Sequence, residues 1–157
     1  MSHAAIVELQ PYKINKDDWV EQDSMLEDPG IQYHTEYVGD CFSDKERKEY
    51  IKKDLVELFS GIATVDTKKE TITFLTEEEI TETVMKEIQH AISKIRSGFS
   101  LGSDSFYYFR FYGRWFRQDY TIIWSELSSY TSAQFIEDAK YKAGETYYIG
   151  AVYDYHI

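Results

Sequence analysis

The chain has 157 residues, a formal net charge of −11 and 17% aromatic residues. This length suits one domain and the aromatic content excludes a disordered chain, so we expect a single folded domain over residues 1–157. The excess of acids opposes contact with nucleic-acid phosphates and with anionic membranes, which predicts no direct nucleic-acid binding and no membrane association. An acidic surface remains compatible with a basic protein partner.

Cysteine content and the N-terminal residues predict a cytoplasmic protein. Cys41 is the single cysteine, which excludes an internal disulfide and suits a reducing compartment. The first residues, MSHAAIVELQPYK, lack the basic segment and the long apolar run of a signal peptide. The apolar stretches of the chain are also far shorter than a membrane span.

The first third of the chain predicts two strands and a capped helix. Residues 4–9 form a short apolar run typical of a strand, and the alternation over residues 31–38 predicts a second strand. Ser43 and Glu46 have the spacing of a capping box, in which each side chain binds a free backbone N–H of the helix start. Apolar residues then recur at helical spacing, so we expect a helix near 43–60.

A hairpin and a longer helix are predicted next. Residues 62–75 alternate on both sides of a polar turn, which is typical of a β-hairpin. Thr76 and Glu79 repeat the capping box, and three consecutive glutamates lie at the positive end of the helix dipole. We therefore expect a helix near 76–97.

The last third predicts a hairpin at 105–124 with its turn at Gly113-Arg114, a helix near 131–142 and a C-terminal strand at 146–156. Strands and helices mix without strict alternation, and neighbouring hairpins imply antiparallel pairing. The predicted fold class is α+β, with a mainly antiparallel mixed sheet and the three helices packed on one face.

An aromatic strip with arginines stands out against the acidic background. Residues 105–118, SFYYFRFYGRWFRQ, contain eight aromatic residues and three arginines without an acid. Folded as a hairpin, the strip places half of its rings in the core and a set of binding-competent side chains on the other face: Tyr108, Arg110, Tyr112, Trp115 and Arg117. Arginine forks bind carboxylate or phosphate and flat rings offer stacking surfaces, so this face is a candidate ligand site. The alternative is that both arginines pair with the protein's own acids.

The sequence contains no complete catalytic or metal-binding motif. Residues 98–102 match G-x-S-x-G, but a predicted helix precedes the serine and a strand follows it, the reverse of a nucleophile elbow. Cys41 is a lone thiol near a helix start, where a packing role is commoner than a catalytic one. The acids of residues 17–28 lack the order of a calcium loop. We therefore predict no catalytic residue, no metal ligand and no cofactor.

These observations favour a small acidic cytoplasmic protein that acts through protein–protein interaction, of the inhibitor, immunity or phage or plasmid accessory type. Two alternatives stay open. One is a domain for a small anionic ligand or nucleotide, with or without catalysis, that uses the aromatic-arginine face of hairpin 105–124. The other is an obligate homodimeric structural protein that pairs through an edge of its sheet.

Overall fold

The computed structural model of the chain describes residues 3–35, 37–98 and 121–156. Seven strands form one sheet in this part of the chain: β1 His3–Gln10, β2 Tyr37–Cys41, β3 Ala63–Asp66, β4 Thr71–Phe74, β5 Ile122–Ser125, β6 Ser128–Thr131 and β7 Thr146–His156. The helices are α1 Gln22–Leu26, α2 Pro29–His34, α3 Asp44–Tyr50, α4 Val56–Leu58, α5 Glu77–Gly98 and α6 Ser132–Glu137. A π-helical turn, Ile51–Leu55, joins α3 to α4, and 3-10 turns lie at Lys16–Asp18 and Ala139–Lys142.

The longest strand, β7, runs through the middle of the sheet, whose order is β3-β4-β7-β1-β5-β6. β1 lies antiparallel along one edge of β7, from His3 opposite His156 to Gln10 opposite Tyr148. β4 and β2 both pair with β7 and therefore share its other edge. β1 and β5 form a parallel pair, and the remaining described pairs are antiparallel.

Both faces of the sheet carry an apolar cluster, because successive strand side chains point to opposite faces. One cluster joins the alternate β1 residues Ala5, Val7 and Leu9 to the longer helices. Its helical members come from the α3–α4 region, from α5 and from α6: Ile51, Leu55, Phe59, Ile80, Phe135 and Ile136. The second cluster joins Ile6 of β1 to Met25 of α1 and Ile31 of α2. The α3–α4 region, α5 and α6 therefore lie on one face of the sheet, and α1 and α2 lie on the other.

The structure confirms the α+β class, the mainly antiparallel mixed sheet and the three helices on one face. Hairpin 62–75 corresponds to β3 and β4, and the C-terminal strand matches Thr146–His156. Both predicted capping boxes form, since the hydroxyls of Ser43 and Thr76 accept from the N–H groups of Glu46 and Glu79. None of the described helices is both long enough and apolar enough to cross a membrane.

The strand predicted at 31–38 is wrong over most of its length. Pro29 begins a helix there, and the carboxylate of Asp28 caps it by accepting from the N–H of Ile31 at 2.9 Å. Ile31 is fully buried whereas Tyr33 is 85% exposed, so alternate residues do not share one face as they would in a strand. The strand begins only at Tyr37.

Two other elements differ in extent from the prediction. The helix predicted at 131–142 ends at Glu137 and continues as a 3-10 turn from Ala139. Of hairpin 105–124, only the final residues belong to the described part of the chain, where they form β5 and pair with β1 and β6. Residues 105–120, including the predicted turn, lie outside the described residues.

Candidate functional site

The edge of β7 that faces away from β1 carries a break in strand pairing at residues 149–152. β4 pairs with residues 146–148 of β7, and β2 pairs with residues 153–156. No described strand pairs with residues 149–152 along this edge. The register against β1 also shifts here, which marks a β-bulge. The backbone groups at the break therefore need partners from outside the sheet, since buried polar groups are costly when unpaired.

Arg47 of α3 supplies two of these partners. Its Nε donates to the carbonyl of Gly150 and one terminal nitrogen donates to the carbonyl of Ile149, both at 2.7 Å. The other terminal nitrogen forms an ion pair with Glu70 at 2.7 Å. The guanidinium carbon lies 4.5 Å from the ring centroid of Trp19. Arg47 is only 3% exposed, so these contacts replace the water that its charge would otherwise require.

Glu8 of β1 accepts hydrogen bonds from backbone N–H groups near the break, from the opposite edge of β7. Its Oε2 accepts from the N–H of Ala151 at 3.1 Å and from the N–H of Val20 at 3.0 Å. Its Oε1 accepts from the side-chain amide of Gln10 at 3.1 Å. Position 150 is a glycine because a Cβ there would overlap the Glu8 carboxylate. The bond to Val20 ties the segment after β1 onto the sheet, where it forms one wall of a cleft.

The cleft beside the break has a volume of about 1220 Å³. Its floor is the polar side of β3, β4 and the start of β7, and it is rich in hydroxyl groups: Thr64, Thr71, Thr73, Thr146 and Tyr148. Three walls rise from this floor. They are the segment after β1 with Lys13 and Lys16, the start of α3 with Arg47 and Lys48, and the β3–β4 turn with Lys69.

The cleft lining is positive although the whole chain is negative. Its described residues include five basic side chains (Lys13, Lys16, Arg47, Lys48, Lys69) and three acidic ones (Asp44, Asp66, Glu70), a difference of +2, against −11 for the chain. The ion pairs of Arg47 with Glu70 and of Lys16 with Asp44 cancel four of these charges.

Three lysines of the lining lie outside the ion pairs of the described residues, although Lys48 lies near Asp44 and Lys69 lies near Asp66. Lys13, Lys48 and Lys69 form no ion pair there, whereas the hydrogen bond between Lys16 and Asp44 raises the pKa of the lysine and lowers that of the acid. Backbone hydrogen bonds, first that from the N–H of Lys69, lower the pKa of Asp66. Beyond the two ion pairs, the described lining therefore sets three lysines against one acid, Asp66, which leaves a charge of +2 to meet a ligand.

A smaller cavity of about 410 Å³ adjoins the cleft and contains Cys41 and Tyr153. Burial of part of the side chain raises the pKa of the Cys41 thiol, so the thiolate needed for nucleophilic attack is disfavoured. The Tyr153 hydroxyl donates to the carbonyl of Val20 at 2.9 Å, and burial raises its pKa to about 12. Neither group suits nucleophilic or acid–base chemistry near neutral pH.

Metal-ligating side chains do not cluster in the part of the chain that the structure describes: no group of three or more His, Cys, Asp or Glu residues has the geometry to hold an ion. The cleft provides positive charge and hydroxyl donors on a fixed frame, and such groups can bind an anion.

The predicted aromatic-arginine face lies outside the described residues. Its five members are Tyr108, Arg110, Tyr112, Trp115 and Arg117. Whether they meet each other, a pocket or the protein's own acids stays a prediction.

The cleft was not predicted from the sequence, although two charged residues within apolar patterns indicated its frame. Arg47 precedes Ile51 by four positions and Leu55 by eight, so it continues the apolar stripe of the first helix. Glu8 likewise lies inside an apolar strand, and a charged residue in a buried element needs specific partners. The grouping of the three lysines was not visible in the sequence, because positions 13, 48 and 69 come together only through the pairing of distant strands.

A comparison with models of known protein families finds no match to this chain, and neither does a comparison with curated proteins or with solved structures.

Proposed function

We propose that the protein works by binding, and that the cleft receives a ligand carrying negative charge. The observation that carries this proposal is the presence of Lys13, Lys48 and Lys69 in the lining of one cleft, none of them in an ion pair among the described residues. Outside the cleft, one lysine of the described residues, Lys86, forms an ion pair with a carboxylate, that of Glu82. The feature that favours an anion from outside is the grouping of the three lysines around a hydroxyl-rich floor.

The net charge of the chain does not oppose this binding at short range. At physiological ionic strength the Debye length is about 8 Å, so a bound anion responds mainly to the charges of the cleft itself. Those charges sum to +2. The acids elsewhere on the surface lower the rate of approach more than they weaken the bound state.

A thermal-unfolding screen with organic and inorganic anions tests the proposal. A ligand at 100 times its Kd stabilises the folded state by about 2.7 kcal/mol, which raises Tm measurably. The stabilisation should disappear in the triple variant Lys13→Ala/Lys48→Ala/Lys69→Ala. The matched control is Lys52→Ala/Lys53→Ala/Lys140→Ala, which removes the same charge from exposed positions away from the cleft lining.

Two outcomes of the screen count against the proposal. The first is that no anion raises Tm. The second is that both triple variants lose the stabilisation equally, because an effect of total charge alone would then explain the result.

A second candidate function is the binding of a protein partner. Tyr33 and Tyr141 are 85% and 75% exposed. Exposed aromatic side chains are favoured in interface hot spots because they bury much area with few torsions to fix. These observations support a surface for a protein partner, which the predicted inhibitor, immunity or phage or plasmid accessory role would require, and the net charge of −11 suits a basic partner.

Affinity capture and a solution mass measurement test this second candidate. We expect the wild-type chain to retain a partner that a Tyr33→Ser/Tyr141→Ser variant loses, with unchanged Tm. Equal recovery by both proteins would show that these tyrosines are not the interface. A mass of twice the chain in sedimentation equilibrium would instead favour the homodimer.

A further inference from the structure

We infer that the ligand of the cleft is a compact anion with two or more linked phosphate groups, recognised through those groups. This inference rests on the proposed anion-binding function and adds the chemical class of the ligand. Four features of the lining support it: the hydrogen-bonded arginine, the positions of the lysines, the hydroxyl groups of the floor and the cations that lie against the tryptophan ring.

Arg47 is the one arginine that the described residues contribute to the lining, and it is not available to bind a carboxylate of a ligand. Its Nε and one terminal nitrogen are bound to backbone carbonyls of β7, and the other terminal nitrogen is bound to Glu70. A paired fork of N–H donors, which matches the two oxygens of a carboxylate, is therefore absent from the described lining. The cations that remain are lysines, which bind phosphate as point charges.

The lysines approach from separate walls. Lys13 follows β1, Lys48 lies on α3, and Lys69 lies in the β3–β4 turn. A single small anion pairs with the cations on one side of a site, whereas linked phosphates place charge near several walls at once. The volume of about 1220 Å³ also exceeds the roughly 300–1,000 Å³ of ordinary small-molecule pockets, which leaves room for more than one phosphate.

Hydroxyl donors on the floor complement the lysines. The hydroxyl oxygens of Thr73 and Thr146 lie 3.0 Å apart, so one donates to the other. The accepting hydroxyl keeps its own proton for a further acceptor, and Thr64 adds an exposed hydroxyl beside them. Phosphate oxygens accept such bonds together with those from ammonium groups.

Two cationic side chains of this protein already form cation–π contacts with the tryptophan of the lining. Arg47 lies 4.5 Å and Lys16 lies 5.7 Å from the centroid of the Trp19 ring. These contacts compete with stacking of a nucleobase on that ring. Recognition is therefore centred on the phosphates, and an attached nucleoside adds little affinity.

Isothermal titration calorimetry at constant ionic strength tests the inference. The probes are inorganic phosphate, pyrophosphate, tripolyphosphate, citrate and adenosine triphosphate, each without a metal ion. We expect tripolyphosphate to bind at least about tenfold more tightly than phosphate or citrate, which corresponds to about 1.4 kcal/mol. Adenosine triphosphate should match tripolyphosphate within about threefold. The cleft triple variant should lose this binding, and the Lys52→Ala/Lys53→Ala/Lys140→Ala control should keep it.

The outcomes separate the class of ligand from the proposed function. If citrate or phosphate binds as tightly as tripolyphosphate, the linked-phosphate inference is overturned and anion binding stands. A much tighter complex with adenosine triphosphate overturns the claim that recognition is centred on phosphate. If no anion binds, both the inference and the proposed function fail. The mutated lysines are all exposed, so unchanged Tm values should confirm that the variants fold.

Discussion

Arg47 donates from Nε to the carbonyl oxygen of Gly150 at 2.7 Å, across a separation of 103 positions in the sequence. This bond joins α3 to the middle of β7, at the break between the residues that pair with β4 and those that pair with β2. The same side chain forms part of the cleft wall. Arg47 therefore contributes both to the frame of the proposed binding site and to the pairing of backbone groups at the break, as Glu8 does from the other edge of β7.

Replacement of Arg47 by alanine should lower the free energy of unfolding by about 1–3 kcal/mol, the usual cost of leaving a buried acceptor without its donor. The change leaves the Ile149 and Gly150 carbonyls without these donors and Glu70 without its cation. Urea denaturation measures the effect. Lys48→Ala, at the exposed neighbouring position, should change stability by no more than about 0.5 kcal/mol. Equal stability of the two variants would show that Arg47 does not hold the break together.

Replacement of Glu8 by alanine removes the acceptor for two backbone N–H groups. An unpaired buried donor costs about 1–3 kcal/mol, so Glu8→Ala should be strongly destabilising. Hydrogen exchange at the amides of Val20 and Ala151 should accelerate before global unfolding. Glu8→Gln keeps an acceptor oxygen at nearly the same volume and should fall between the two proteins. Unchanged exchange at both amides in Glu8→Ala would contradict this role.

Local features of the fold were predictable from sequence, and long-range ones were not. The capping boxes at Ser43 and Thr76 depend on residues three positions apart, so their pattern is visible in the chain. The cap at Asp28 depends on one short contact, and a six-residue helix has too few positions to show a helical period. The alternation that predicted a strand at 31–38 was therefore accidental.

The candidate site could not be predicted because its parts meet only through sheet topology. Lys13 and Lys69 share the cleft because β1 and β4 pair with opposite edges of β7. Periodicity in sequence contains no information about that arrangement. The buried charges of Arg47 and Glu8 are the exception, since each interrupts an apolar pattern.

Addition of one methyl group at position 150 should disturb both the fold and the cleft. The Cβ of Gly150→Ala would overlap the carboxylate of Glu8 and the side chain of Ile14, which lines the cleft. Overpacking of this kind costs about 1–3 kcal/mol, and displacement of Ile14 should weaken anion binding. Gly144→Ala is the control, because its Cβ meets no atom within 4 Å and its φ of +76° carries only backbone strain. Equal anion affinity in both variants would contradict the coupling of Gly150 to the cleft.

Tyr153 should ionise late in alkaline solution. Burial raises its pKa to about 12, whereas an unfolded tyrosine ionises near pH 10. The unfolded state therefore loses the proton first, so the stabilisation is complete below about pH 10 and is lost as the pH rises toward 12. The difference in phenolate absorbance between wild type and Tyr153→Phe isolates this one phenol. A difference that titrates near pH 10 would show that Tyr153 is not held protonated by the fold.

Binding in the cleft can be mapped most directly by two-dimensional NMR of ¹⁵N-labelled protein titrated with tripolyphosphate at physiological ionic strength. The largest amide shifts should cluster at Lys13, Lys48, Lys69 and Thr146, and they should vanish in the triple lysine variant. Shifts centred instead on residues 105–118 would place the anion on the aromatic-arginine strip. That result, or shifts scattered over all exposed lysines, would contradict the assignment of the cleft as the binding site.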